Sequence, residues 1–402
     1  MQIAALSIHS CPLGRLGSKD TGGMSVYVRE VARELGKRGH QVDVFTRLHD
    51  PRDGQVVSLG KNARLIHLKV GEMCEIPKLD IYPYLTEFTA AVEDFRKNNN
   101  LHYELAHSHY WLSGWVGRQL QEWWKVPHVI MFHTLGAVKN AIGVGEDEPE
   151  IRIQTEEALV RDCQHIIVAT NREKKELQHY YNADPQKIVV VPCGVNLQVF
   201  QPMDKSIARY KLGLDGSNLI LFVGRIEPLK GIENLLSAMT YIKKEKNNTR
   251  LMVVGGDKRS QVELERLQML CCEMQIQDLV DFVGAVNQDE LPAYYSAADV
   301  CVVPSHHESF GLVALESLAC GTPVIASRVG GIEDIVIHGK NGYIADNNSP
   351  SVLADRISMA FSRSIVFDSA EDIRASVSGF GWSMVTERII NVYRRMLDSA
   401  AN

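Results

Sequence analysis

The chain has 402 residues, 45% of them hydrophobic and 23% charged, with a formal net charge of −6. That length exceeds one ordinary core and matches two or three domains, and the composition is that of a globular protein. The charges are interspersed rather than blocked, which argues against a grip on nucleic acid or anionic lipid and for small-molecule substrates.

The opening MQIAALSIHS lacks a basic n-region and reads as a first buried strand, not a signal peptide. No apolar run approaches the length of a membrane span. The eight cysteines are scattered without a C-x-x-C pair and read as buried free thiols of a reducing compartment, so a cytoplasmic protein is expected. A homodimer is compatible with the sequence.

Short apolar runs alternate with helical patterns, the signature of parallel βαβ units. Strands are expected near 3–9, 42–46, 65–70, 106–108, 128–132, 165–169 and 188–191. Between the first two, Met24, Val28, Val31 and Leu35 fall at helical spacing, with Gly39 placed as a stop. The stretch VPCGVNLQVFQP, 191–202, has no period and reads as a domain edge. The alternation then restarts with LILFVGR, RLMVVGG, LVDFVGA, DVCVVPS and TPVIAS. Two doubly wound α/β domains are therefore expected, 1–195 and 196–382, with the final helical pattern, 383–402, packing back on the first. Two such sheets in tandem place their carboxyl ends at one cleft, where ligands bind.

Three loops carry chemistry. In VVPSHHESFGLVALESLACGTPVIAS, 302–327, a helix is expected to open near Phe310. The N–H groups of Ser309, Phe310, Gly311, Leu312 and Val313 would then form an anion site, to which the macrodipole adds roughly half a positive charge. Glu316 lies along that helix and Glu308 in the loop before it, so two acceptor-only carboxylates bracket the anion. A nucleotide diphosphate sugar, with hydroxyls at both ends and phosphates between, fits. Two solvated helix-start glutamates would be the better reading of an arbitrary pair, but the buried strand and the SFG beside them favour function. In FVGRIEPLKGIENLL, 222–236, Arg225 and Lys230 can clamp the diphosphate and offset its charge as it leaves. In KDTGGMSVYV, 19–28, Gly22-Gly23 lets the backbone approach a ligand at a helix start, although a tight structural turn explains it as well.

The histidines His9, His107, His109, His133, His306 and His307 lack the spacing of a zinc site, and no metal is expected. His133, which ends the run HVIMF, is the one expected to touch substrate.

Together HESFGLVALESLACGTPVIAS, FVGRIEPLKGIENLL and DTGGMSVYVREVARELGKRGHQVDVFTR resemble family 4 of the retaining glycosyltransferases, which have the GT-B fold, over nearly the whole chain. HSHYWLSG and HTLGAVKN resemble the inositol-phosphate N-acetylglucosaminyltransferases of mycothiol synthesis, while DTGG is also similar to sucrose-phosphate synthases. The resemblance implies that Arg225 and Lys230 bind the donor diphosphate and Glu316 the ribose hydroxyls. Glu308 and the amides after it would hold the donor sugar, Gly23 N–H the distal phosphate, and His133 would lie at the reacting sugar. For the acceptor phosphate the matching positions are Lys78, Tyr110, Thr134 and Arg152. Ser25 stands where the mycothiol enzymes have Asn, and Met24 where the sucrose-phosphate enzymes have Gln, which leaves the acceptor ring open.

The implied activity is transfer of a glucosyl or N-acetylglucosaminyl unit from a UDP-sugar, as co-substrate and without a cofactor, to a phosphorylated acceptor such as inositol phosphate. Fructose 6-phosphate is the alternative acceptor. A GT-B epimerase and a non-catalytic nucleotide-sugar sensor are the rival classes.

Overall fold

The structure, a computed structural model, describes residues 1–14, 22–214, 216–245, 248–256, 260–362 and 366–401. Runs of apolar residues buried on both faces form its strands, as expected of parallel sheets covered by helices on each side.

The first sheet comprises β1 (Gln2–Leu6), β2 (Gln41–Arg47), β3 (Val56–Gly60), β4 (Ala63–Leu68), β5 (Leu105–His109), β6 (His128–Met131), β7 (His165–Val168) and β8 (Ile188–Val190). Their spatial order is β3-β4-β2-β1-β5-β6-β7-β8, parallel except for the edge pair of β3 and β4. The second sheet comprises β9 (Asn218–Val223), β10 (Thr249–Val254), β11 (Val280–Gly284), β12 (Val300–Val303), β13 (Val324–Ser327) and β14 (Gly342–Ala345), in the order β11-β10-β9-β12-β13-β14. Strand order reverses between β1 and β5 in one sheet and between β9 and β12 in the other, and each reversal opens a crevice at the carboxyl ends of those strands. Two strands lie outside the sequence expectation. β3 is half exposed and β14 is only four residues long, so neither carries a continuous apolar run.

The helix Trp382–Ala401 follows the second sheet in the chain but lies against the helix Gly23–Lys37 of the first domain. Val385, Ile389, Tyr393 and Met396 recur at helical spacing and are buried on that face. Arg38 Nη2 donates to the Ser383 carbonyl at 2.8 Å, and Tyr393 OH lies 2.6 Å from His107 Nδ1 in β5. The chain therefore passes between the two domains twice. The passages run side by side, with Val195 N–H donating to the Phe380 carbonyl at 2.8 Å and Val195 bridged to Gly381. No described helix is long and apolar enough to cross a membrane.

Candidate active site

The crevice of the second sheet is built by the loops after β9 and β12. Pro228–Lys230 form a single 3-10 turn that carries Lys230 towards the loop after β12. There Lys230 Nζ lies 2.6 Å from Glu308 Oε1, and Ser305 Oγ donates to the same oxygen at 2.9 Å. Burial pushes the Glu308 carboxyl up, but the Lys230 ammonium and the Ser305 hydroxyl outweigh it and hold it below the usual range. Arg225 Nη2 lies 2.8 Å from Glu227 Oε1, on the same loop as Lys230.

The helix after this loop is Leu312–Ala319, beginning two residues later than expected. Gly311 stands before it in the left-handed region, φ 99°, a conformation open to glycine, while the Phe310 side chain is buried beside Phe380. No side chain caps the helix, so its first-turn amides have neither an intrahelical acceptor nor a side-chain cap. Glu316, one turn further, is 9% exposed and accepts from Tyr295 OH at 2.9 Å. Burial pushes its carboxyl up to about 7, against the smaller opposing effects of the Tyr295 hydroxyl, Gln288 and Arg29. Gly23 opens the helix Gly23–Lys37 opposite Leu312, where a Cβ would sit 2.9 Å from Leu312 Cδ1. Lys19, Asp20 and Thr21 of the same motif lie outside the described residues.

The first domain contributes the ends of β5 and β6. His133, at φ 63°, is a non-glycine residue in the left-handed region, a strained conformation that surrounding contacts must enforce. Its carbonyl accepts from Ser309 Oγ of the other domain, and its Nε2 lies 3.0 Å from His109 Nδ1. His133 thus meets the loop that carries Glu308.

Of the four positions matched to the acceptor phosphate, the structure brings three into direct contact. The Arg152 guanidinium lies 4.8 Å over the Tyr110 ring, and its Nη2 donates to the Thr134 carbonyl at 2.8 Å and to Thr134 Oγ1 at 3.1 Å. Arg152 is also fully buried between two carboxylates, Glu156 Oε1 at 2.7 Å and Glu148 Oε2 at 2.7 Å. Lys78 opens the 3-10 helix Lys78–Tyr84; after burial, its charge is the next cause that lowers the pKa of His9, whose ring lies 4.4 Å from that of Tyr110 in a tilted arrangement. Ser25 stands apart from this group: it is buried, with its Oγ 2.5 Å from Ser10 Oγ.

Tyr295 and Ser305 lie beside the candidate residues and are not singled out from the sequence, whereas His109 is weighed there among the histidines and within HSHYWLSG, without a role of its own. Ser305 had a signal, lying one short turn before Glu308; the partners of Tyr295 and His109 are distant in the chain, and no spacing points to them. A cavity of about 690 Å³ between Asn218, Asp355 and Phe361 contains none of the candidate site residues.

Residues 21–199 match the family described as Glycosyltransferase Family 4, and residues 204–375 match Glycosyl transferases group 1. The chain is 37% identical over 409 residues to D-inositol 3-phosphate glycosyltransferase of Geodermatophilus obscurus, covering 100% of this chain and 90% of the relative. To the protein of the same name from Acidothermus cellulolyticus it is 39% identical over 410 residues, covering 98% and 90%. The structure of sucrose-phosphate synthase from Thermosynechococcus elongatus superposes with a TM-score of 0.91 at 34% identity, over 99% of both chains. Two facing parallel-sheet domains, a cleft lined from both, and relatives that match from end to end lead to one conclusion: the chain belongs to glycosyltransferase family 4 and has the GT-B fold.

Proposed function

We propose that the protein transfers a hexosyl unit from a UDP-sugar, with retention of configuration, to a hydroxyl of a small phosphorylated acceptor such as an inositol phosphate. The observation that carries this reading is a pair of carboxylates, the half-buried Glu308 and the buried Glu316, on either side of an uncapped helix start. Glu308 is held by Lys230 and Glu316 by Tyr295, with the first-turn amides of Leu312–Ala319 between them. That arrangement suits hydroxyls at the ends and phosphates in the middle. Arg225, Lys230 and the helix amides offset the charge that grows on the departing diphosphate. As the bond from the anomeric carbon to the diphosphate breaks and the bond to the acceptor oxygen forms on the same face, the acceptor proton passes to a leaving phosphate oxygen. The reaction as read calls on no metal.

The inositol-phosphate acceptor is supported by the names of the relatives and by the Tyr110, Thr134 and Arg152 cluster. A second reading, transfer to fructose 6-phosphate, is favoured by the 34% identity and end-to-end superposition with a sucrose-phosphate synthase. Incubation of UDP-glucose and UDP-N-acetylglucosamine with inositol phosphates, fructose 6-phosphate and their unphosphorylated forms tests both. UDP release with a new α-glycoside by NMR, from one phosphorylated acceptor, is the expected result. An epimerised nucleotide sugar, or tight UDP binding with no product, would replace the reading by an epimerase or a sensor.

A further inference from the structure

Strands β5 and β6 lie side by side with His109 opposite Met131, so the chain two residues past β6 brings His133 next to His109. Their rings meet through His109 Nδ1 and His133 Nε2 at 3.0 Å. Tyr27 packs edge-on against both, at centroid distances of 5.7 and 5.3 Å, and on its far side His109 lies 4.2 Å from the His107 ring. His109 is buried, whereas His133 is half-buried at the cleft. Burial lowers the pKa of both rings far enough to keep them neutral. A hydrogen bond between two neutral imidazoles takes one N–H and one lone pair, so its direction decides which nitrogen of His133 carries the hydrogen.

We propose that His109 is a positioning residue of the reaction, holding the His133 ring in one orientation and one tautomer for contact with the transferred sugar. The main chain of His133 is anchored separately, by the bond from Ser309 Oγ to its carbonyl, and His109 supplies the anchor for the side chain. The kinetic consequence rests on the proposed sugar transfer; the tautomer does not.

The test is a double-mutant cycle joined to nitrogen NMR of the protein labelled at histidine. His109→Phe keeps a ring but loses the nitrogen, and should lower kcat by roughly 10- to 100-fold, on the scale of a misplaced reacting group, with little change in KM for the nucleotide sugar. His109→Asn, whose amide falls near the Nδ1 position, should recover most of the loss, and His109→Gln, whose amide falls near Nε2, should not. In a His133→Ala background His109→Phe should cost nothing further. The His133 nitrogens should report one tautomer in the wild type and a mixture in His109→Phe, or in His109→Gln if the Phe variant does not fold. Additive kinetic losses, or an unchanged tautomer, would overturn the inference. If the wild type releases no UDP with any acceptor, the transfer reading falls and the nitrogen spectra alone decide the role of His109.

Discussion

Lys230 Nζ sits 2.6 Å from Glu308 Oε1, so the cation proposed for the leaving diphosphate is also the counter-charge of a carboxylate. Removing it therefore has two effects. Lys230→Ala should lower turnover by roughly 100-fold or more, the scale of losing one preorganised donor, and leave the half-buried Glu308 without its main counter-charge. Arg225→Ala should lower turnover similarly while leaving the Lys230–Glu308 contact intact. Rates at saturating UDP-sugar and thermal melts separate the two: both variants slow, but Lys230→Ala also melts lower. Unchanged turnover in both would remove the diphosphate assignment.

If Glu316 accepts from the ribose, nucleotide binding should depend on pH. Its carboxyl is raised from an ordinary 4.5 to about 7 by burial, and ribose hydroxyls donate best to the ionised form. UDP affinity should therefore rise as pH climbs through about 7, and Glu316→Gln should flatten that rise. The ligand-free protein should show the opposite trend. Between 4.5 and about 7 the folded state binds more protons at Glu316 than the unfolded state, so this contribution to stability is lost as pH rises through that window. Glu173, also raised to about 7 by burial, adds to the same slope, so the Glu316 share is the difference between wild type and Glu316→Gln. Calorimetry with UDP and melts at pH 5 and 8 check both signs.

Arg152 and Lys78 should part company on mutation. Arg152→Ala leaves Glu148 and Glu156 without their common cation in a buried site, at a cost of about 3–5 kcal/mol. A large loss of thermal stability should precede any effect on acceptor binding, and Arg152→Lys should recover only part of it because an ammonium cannot reproduce the forked contacts. Melting curves like the wild type's would contradict the structural role.

Lys78→Ala removes a half-buried lysine at the start of a short helix and should leave stability near that of the wild type. If the residue meets the acceptor phosphate, KM for the phosphorylated acceptor should rise roughly 10- to 100-fold, the worth of one charge-assisted hydrogen bond. KM for the unphosphorylated form should barely change. Equal effects on the two acceptors would take Lys78 out of the phosphate site.

The fold was legible wherever burial on both faces leaves an uninterrupted apolar run, as in 219–223 and 300–303, and illegible where it does not, as in the half-exposed β3. The site divides in the same way. Lys230 and Glu308 could be grouped because each lies in the loop that follows a buried strand. The helix start near Phe310 was placed two residues early because the left-handed turn at Gly311 and the burial of Phe310 depend on the neighbouring loop. Arg152 did carry a local signal for one of its carboxylates: Glu156 lies four residues on, on the same face of the helix Glu150–Asp162, whereas Glu148 precedes that helix and reaches Arg152 from the loop. The contacts of His109 with His133 and of Tyr295 with Glu316 exist only once distant loops meet, and no spacing announces them.

The return of the helix Trp382–Ala401 to the first domain has a consequence for biosynthesis. As the chain emerges from the ribosome, the first sheet and the helix Gly23–Lys37 appear early, but Val385, Ile389 and Tyr393, which cover that helix and the end of His107, are made only after the strands of both sheets. The first domain is therefore born with an open apolar flank that stays uncovered throughout synthesis of the second. The second domain, whose sheet strands all lie within one continuous segment, 218–345, can finish first. Joining the two domains is then a docking step, in which a helix made after both sheets closes over the first.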